Sequence, residues 1–178
     1  GLKRMNADKT KYFMMAVGFK LPHLAIHLPY KYFNMYKDPE RMQAWKLTKK
    51  ERKFPYSSPP VAYRCCANPK FEYMNEEGTK DATDVVRLGN INMPFTERMR
   101  DELMQGYAGS ITFVDKQLGR LLDALDELDL WNNVTIVLTS DHGMHNGEKG
   151  LWEKWSLFDE STRVPLMIYH PQSSNQGK

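Results

Sequence analysis

The chain has 178 residues, of which 41% are hydrophobic and 26% are charged. This length suffices for one domain with its own core, and no stretch approaches the roughly 20 apolar residues that cross a bilayer, so we expect no membrane span. The formal net charge of +3 is too small to indicate a partner, and the absence of any nucleic-acid-binding motif argues against nucleic acid as one.

Two short elements are predicted near the start of the chain. Residues 12–17 form an apolar run that ends at Gly18, which predicts a central strand followed by a turn. His23 follows closely. Pro29 then opens an aromatic stretch to Tyr36 that predicts a single helix with Pro in its first turn.

A long irregular excursion is predicted over residues 38–94, where prolines, glycines and charges show little periodicity. Loops of this length usually bind or cover something, so the segment is either a substrate-facing insert or a surface wrap. Its basic run over residues 46–53 is either a solvated surface or a region that attracts a polyanion such as a sulfated glycan. Cys65 and Cys66 are neighbours, are not expected to bridge each other, and fit no zinc site.

The next element is a long amphipathic helix. Thr96 is a plausible N-cap, Glu97 lies in the first turn, and the Asn132-Asn133 pair can end the element. Apolar residues recur every three or four positions and predict one face that packs on a sheet. These residues are Leu103, Tyr107, Ile111, Val114, Leu118, Leu121, Leu125 and Leu128.

The most informative stretch is the apolar, β-branched run over residues 135–139, which ends in Asp141, His142 and Gly143. A continuous apolar run predicts a parallel strand buried on both faces, and ligands in open α/β sheets bind outside the carboxyl ends of such strands. Asp offers an ionised oxygen to a cation, His offers a nitrogen ligand or a proton, and Gly143 lets the backbone turn closely around a bound group. A plain polar turn is the alternative, because all three residues are ordinary turn formers.

A charged loop over residues 147–156 follows, and a strand is predicted over residues 164–169. Trp152 and Trp155 lie in this loop and form either a pocket wall or ordinary packing. Lys154 by itself would be a solvated lysine. The order of strand, excursion, helix, strand, loop and strand predicts an α/β sheet flanked by helices.

Several motifs together resemble sulfatases of the alkaline-phosphatase superfamily, in particular the iduronate-2-sulfatase branch. They are the GF-x-x-PH element at residues 18–23, PPVAY at 59–63, the helix sequence at 107–130, TSDHG at 139–143, the GE-x-G-x-W-x-K loop at 147–154 and RVPLMIY from Arg163. The order and spacing of these motifs, rather than any one of them, make the resemblance specific. It implies a single partial catalytic domain over residues 1–178, with an incomplete alkaline-phosphatase-like fold and a mainly parallel sheet.

The resemblance also implies that four residues, distant in the sequence, converge around one anion pocket, each with its own role. Asp141 and His142 would complete a calcium shell, although His142 could instead donate to the sulfate or act as a base near the nucleophile. Lys154 would bind the sulfate or the leaving oxygen as a fixed cation. His23 would donate to a sulfate oxygen or protonate the leaving alcohol. The substrate would be a sulfated carbohydrate; the sugar and the oligomeric state stay open.

The formylglycine motif of these enzymes, C/S-x-P-x-R, does not occur in the chain, and neither do the upstream Asp-Asp pair and sulfate contacts. We therefore expect a fragment of a longer enzyme that is inactive by itself. The alternatives are a phosphoester or phosphonate hydrolase of the same superfamily and a non-catalytic glycan-binding fragment. Asn133 begins an N-x-T sequon, and the branch carries one at the matching place, which favours a lysosomal or secreted protein.

Overall fold

The computed structural model describes residues 12–43, 45–48, 50–52 and 97–174. The helices are α1 (Tyr30–Asn34), α2 (Pro39–Gln43), α3 (Glu97–Glu127) and α4 (Asp159–Thr162), with 3₁₀ turns at Trp131–Asn133 and Glu148–Gly150. The strands are β1 (Ile136–Thr139), β2 (His145–Asn146), β3 (Trp152–Glu153) and β4 (Leu166–Tyr169). None of the described helices is both long and apolar enough to cross a lipid bilayer.

The core lies where the segment before α1 meets α3. Ile26, Leu28 and Phe33 pack there with Leu103 and Trp152, and all five side chains are buried. Burying a large apolar side chain contributes about 1.5–3 kcal/mol, so this cluster is the main stabilising feature of the described residues.

Helix α3 packs closely on α1 because Gly109 has no side chain. A Cβ at this position would lie 2.8 Å from Leu28 Cδ1 and 2.9 Å from the Tyr32 carbonyl oxygen. Two polar contacts fix the same interface: Tyr36 and Thr112 share a hydrogen bond of 2.7 Å, and Gln105 donates to the Phe33 carbonyl over 2.8 Å. The predicted helix is therefore confirmed, but in the described residues its packing partners are α1 and β2 rather than a broad sheet.

The end of α3 differs slightly from the prediction. The helix stops at Glu127, and the Leu130 N–H donates to the Leu125 carbonyl over 3.0 Å. Asp129 has φ of 49°, the left-handed conformation that commonly terminates helices. The predicted terminator, the Asn132-Asn133 pair, lies in the following 3₁₀ turn instead.

Both described sheets are antiparallel pairs. Strand β1 pairs with β4 in the register Ile136 to Tyr169 and Thr139 to Leu166, and β2 pairs with β3. The strand predicted at 135–139 is confirmed as β1, but its expected burial on both faces is wrong, because its side chains alternate between half-buried and exposed. The mainly parallel sheet is not found among the described strands and stays a prediction.

One further expectation needs correction. Residues 12–17 form no strand, because the run pairs with no described segment, and side chains such as Tyr12 and Met14 are almost fully exposed. The mostly irregular excursion predicted over 38–94 begins with a short helix, α2. Most of that excursion, including Cys65 and Cys66, lies outside the described residues, as does Thr96.

Candidate active site

The turn after β1 presents the Asp141 carboxylate to solvent, with 84% of the side chain exposed. The carboxylate accepts the His142 N–H over 3.0 Å and the Ser140 hydroxyl over 3.4 Å. Desolvation is the largest single effect and tends to raise the pKa of Asp141, but the charge of the adjacent His142 when protonated and these hydrogen bonds together outweigh it, and the pKa lies below its usual value. The Asp141 carboxylate is therefore ionised at neutral pH.

The tautomer of His142 follows from its partner. Its Nδ1 lies 2.8 Å from the Gly143 carbonyl oxygen, and a carbonyl only accepts, so Nδ1 carries the hydrogen and the neutral ring keeps its lone pair on Nε2. That Nε2 lies 3.4 Å from Asp141 Oδ2. If two ligand atoms each lie about 2.4 Å from a cation, in directions at right angles to each other, the two atoms are about as far apart as Nε2 and Oδ2 are here.

These two side chains fit part of a divalent-cation shell. Calcium takes six to eight ligands, chiefly oxygens, so Asp141 and His142 could supply only two of them. Within the described ranges, no group of three or more His, Cys, Asp or Glu side chains is placed to hold a metal. A complete shell would need ligands from outside these ranges.

Gly143 is required for packing rather than for an approach to a ligand. Its N–H donates to the Ser161 carbonyl over 2.7 Å. A Cβ would overlap the Glu160 carbonyl oxygen and would lie 2.9 Å from that of Arg163. The sequence suggested that the glycine lets the backbone turn closely around a bound group; in the structure it lets the turn rest on α4.

Lys154 follows β3 in a tightly curved turn. Glu153 has φ of 68°, a left-handed conformation that costs a non-glycine residue about 1–2 kcal/mol. The Ser156 N–H donates to the Lys154 carbonyl over 2.7 Å, and the Lys154 side chain is half-buried. Burial raises the pKa of the neighbouring Glu153, and the Lys154 charge partly offsets the rise.

A buried polar cluster behind this turn was missed by sequence reasoning. His145 is fully buried, and its Nε2 lies 2.7 Å from Ser156 Oγ, which donates to Ser161 Oγ over 3.0 Å. Beside it Lys149 and Glu160 form an ion pair. The only available signal was a histidine followed by two serines in one loop, and that pattern has no diagnostic spacing.

His23 lies on an exposed turn after residues 12–20. The ring Nδ1 of His23 contacts the Leu24 carbonyl, and the backbone N–H of His23 donates to the Lys20 carbonyl over 2.9 Å. Nδ1 therefore carries a hydrogen, and Nε2 is the ring atom left for a substrate. Within the described part of the chain, no hydrogen bond or ion pair joins His23 to Asp141, His142 or Lys154, so their convergence stays a prediction.

The structure also gives positions for the two tryptophans of the loop and for the sequon asparagine. Trp152 is buried in the core, which supports packing over a pocket wall for this residue, whereas Trp155 is 67% exposed. Asn133 is exposed at the end of the 3₁₀ turn before β1, a position that a glycosylating enzyme could reach.

Comparison with known proteins decides the family. The family model described as Sulfatase matches residues 2–178. The chain belongs to the sulfatase family. This membership places it in the alkaline-phosphatase-like α/β fold, as predicted, whereas the mainly parallel sheet stays a prediction.

Individual relatives agree with this assignment. Human iduronate 2-sulfatase is 35% identical over 178 residues, covering 96% of this chain and 28% of the relative. An arylsulfatase of Clostridium perfringens is 32% identical over 171 residues, covering 96% of this chain and 30% of the relative. A solved structure in complex with D-glucosamine-2-N,6-O-disulfate matches 43% of this chain and 15% of its own, with 34% identity and a TM-score of 0.41. The chain thus spans less than a third of these relatives.

Proposed function

We propose that the protein containing this chain is a sulfuric ester hydrolase that removes sulfate from a sulfated sugar, with this chain supplying part of the active site. The observation that carries the proposal is the ionised Asp141 beside the Nε2 lone pair of His142, at the end of β1 in a member of the sulfatase family. The similarity to iduronate 2-sulfatase favours a sulfated carbohydrate over other sulfate esters.

In this proposal Asp141 and His142 hold part of the calcium shell. A bound divalent cation would supply Lewis-acid stabilisation of the sulfate oxygens. The chain contains no C/S-x-P-x-R motif, so the nucleophile of the proposed reaction would come from another part of the protein.

Lys154 and His23 act on the ester itself. Lys154 is a cation on a constrained turn, and its charge neutralises the negative charge that develops on the sulfate or the leaving oxygen as the S–O bond breaks. His23 uses Nε2, because Nδ1 is engaged with the Leu24 carbonyl, and it donates to a sulfate oxygen or protonates the leaving alcohol.

The exposed sequon at Asn133 supports glycosylation and passage through the secretory route to a lysosomal or extracellular location. Treatment of the native glycoprotein with an N-glycosidase tests this part, since a mass decrease assigned to the peptide carrying Asn133 is expected.

The catalytic proposal is tested by assaying the intact protein with 4-nitrophenyl sulfate, 4-nitrophenyl phosphate and a phosphonate monoester. We expect kcat/KM to be highest for the sulfate ester and to fall after chelation of divalent cations. Preference for the phosphate or phosphonate would support the phosphoester hydrolase alternative instead. Turnover of none of the three esters, with binding of a sulfated oligosaccharide retained, would support a glycan-binding protein.

A further inference from the structure

His145 is attached to both sides of Lys154. Its backbone lies opposite Glu153 in the β2–β3 pair, and its ring contacts the hydroxyl of Ser156 over 2.7 Å. Lys154 therefore lies in the four-residue segment 153–156, which has Glu153 at one end beside the backbone of His145 and Ser156 at the other end against its side chain. The Glu153 backbone just before Lys154 is in the left-handed region, so this turn needs such attachments to persist.

The hydrogen bonds of Ser156 determine which ring nitrogen of His145 carries the hydrogen. The Ser156 hydroxyl has one proton, which it donates to Ser161 Oγ over 3.0 Å, and it accepts the Phe158 N–H over 3.3 Å. Its remaining contact, at 2.7 Å, is with His145 Nε2. With the Ser156 proton directed to Ser161, Nε2 donates to Ser156, and this arrangement assigns the hydrogen of His145 to Nε2.

The other ring nitrogen indicates that His145 is neutral. Nδ1 is buried and has no hydrogen-bond partner among the described residues. A buried nitrogen lone pair without a partner costs less free energy than a buried N–H without a partner. It also costs less than a buried charge without a partner. The charged groups that face the ring are Glu160 and Lys149, which are paired with each other and so largely cancel.

The same cluster reaches the other half of the candidate site. Ser161 accepts from Ser156 through its hydroxyl and from the Gly143 N–H through its carbonyl, over 2.7 Å. Gly143 in turn accepts from His142 Nδ1. A series of hydrogen-bonded residues thus links His145 through the two serines and Gly143 to His142.

We propose that His145 is a positioning residue, which as a neutral Nε2–H tautomer holds the Lys154 turn in register with the Asp141–His142 turn. The expected effect of His145 on catalysis rests on the proposed sulfatase function. Its tautomer and its contacts with the turn that carries Lys154 do not depend on that function. His145 does not touch the substrate, because the side chain is fully buried.

Three substitutions in the intact protein separate this role from simple core packing. The side-chain amide of His145→Gln reaches the place of Nε2 and can donate to Ser156. The shorter amide of His145→Asn reaches only the place of Nδ1, and His145→Leu fills the space without a donor. Circular dichroism and thermal melting establish that each variant is folded.

For the sulfate ester we expect His145→Gln to keep kcat within about twofold, and His145→Asn to lower kcat by about tenfold or more with a smaller change in KM, since a displaced catalytic group lowers the rate steeply. Equal kcat for the Gln and Asn variants would overturn the positioning role.

Two readouts do not depend on sulfatase activity. The ¹⁵N chemical shifts of the His145 ring should show a protonated Nε2 and an unprotonated Nδ1 at neutral pH; the opposite tautomer or a charged ring would overturn the proposal. The rate of Lys154 acetylation, followed by mass spectrometry, should change at least threefold in His145→Leu and stay near wild type in His145→Gln. If the protein has no sulfatase activity, these two results alone decide the role of His145.

Discussion

Gly143 leaves no room for a side chain, and this gives a prediction at the scale of one residue. In Gly143→Ala the new Cβ would overlap the Glu160 carbonyl oxygen, and the backbone of α4 cannot move as a flexible side chain would. We expect the substitution to lower the free energy of unfolding by about 1–3 kcal/mol. Chemical denaturation of the intact protein measures it.

Gly119 provides the matched control for that experiment. It lies within α3, and a Cβ there would meet nothing within 4 Å. Gly119→Ala should raise the free energy of unfolding by about 0.5–1 kcal/mol, because alanine is the better helix former. Equal effects of the two substitutions would show that Gly143 is not confined by α4.

Asp141 gives a second prediction at this scale. Asp141→Ala removes an ionised carboxylate from the proposed cation shell, so calcium affinity measured by calorimetry and metal-dependent sulfate release should both be lost. Asp115→Ala, which changes an exposed carboxylate on α3, is the control and should change neither. Calcium affinity and activity equal to the control would remove Asp141 from the site.

At the scale of single residues, the sequence nominates candidates where polar groups follow an apolar strand. Asp141 and His142 were nominated in this way; the structure confirms the strand before them, and their role in a site stays a prediction. His145 was missed because its significance comes from Ser156 and Ser161, which reach it only when the loop folds back on itself. The packing role of Gly143 was missed for the same reason, since the carbonyls that confine it lie 17 and more residues further along the chain.

The buried histidine of strand β2, His145, gives a prediction at the scale of an element. Burial is the main cause that lowers the pKa of His145, with Glu160 opposing and Lys149 assisting. Below about pH 6.5 the unfolded state takes up this proton and the folded state does not. The free energy of unfolding should therefore fall as pH decreases from about 6.5 towards the lower pKa of the folded state.

Glu160 changes the free energy of unfolding in a separate, more acidic pH range. Burial tends to raise its pKa, but the hydrogen bond and charge of Lys149 outweigh this and lower it, so its contribution is present above its ordinary value and is lost at more acidic pH. In His145→Gln the stability loss that begins near pH 6.5 should disappear while the more acidic loss remains. An unchanged profile in His145→Gln would show that another group titrates in the upper range.

A helix or strand could be predicted from the sequence when its own apolar residues repeat at a regular spacing. Helix α3 was located correctly because eight apolar residues repeat at helical spacing, and β1 because its run is β-branched and sharply bounded. Strands β2 and β3 have only two residues each, which is too short for any alternation to appear. The run over residues 12–17 has the composition of a strand, but a strand forms only against a partner, and composition does not report one.

At the scale of the whole molecule, the antiparallel pairing of β1 and β4 could not be derived from the sequence, because strand pairing depends on contacts between distant segments. The family could be derived, since six motifs in order are more specific than any one of them. The chain spans 28% of the length of human iduronate 2-sulfatase. Strands β1 and β4 pair as a two-stranded sheet in the described residues, and apolar side chains on them, among them Val137 and Ile168, are exposed.

The central claim is that His23, Asp141, His142 and Lys154 surround one anion pocket. A crystal structure of the intact protein grown with calcium and a sulfated monosaccharide tests this most directly. We predict a cation bound by Asp141 and His142, with the sulfate group within hydrogen-bonding distance of both Lys154 Nζ and His23 Nε2. A sulfate group bound elsewhere, with these four side chains on separate surfaces, would contradict the claim.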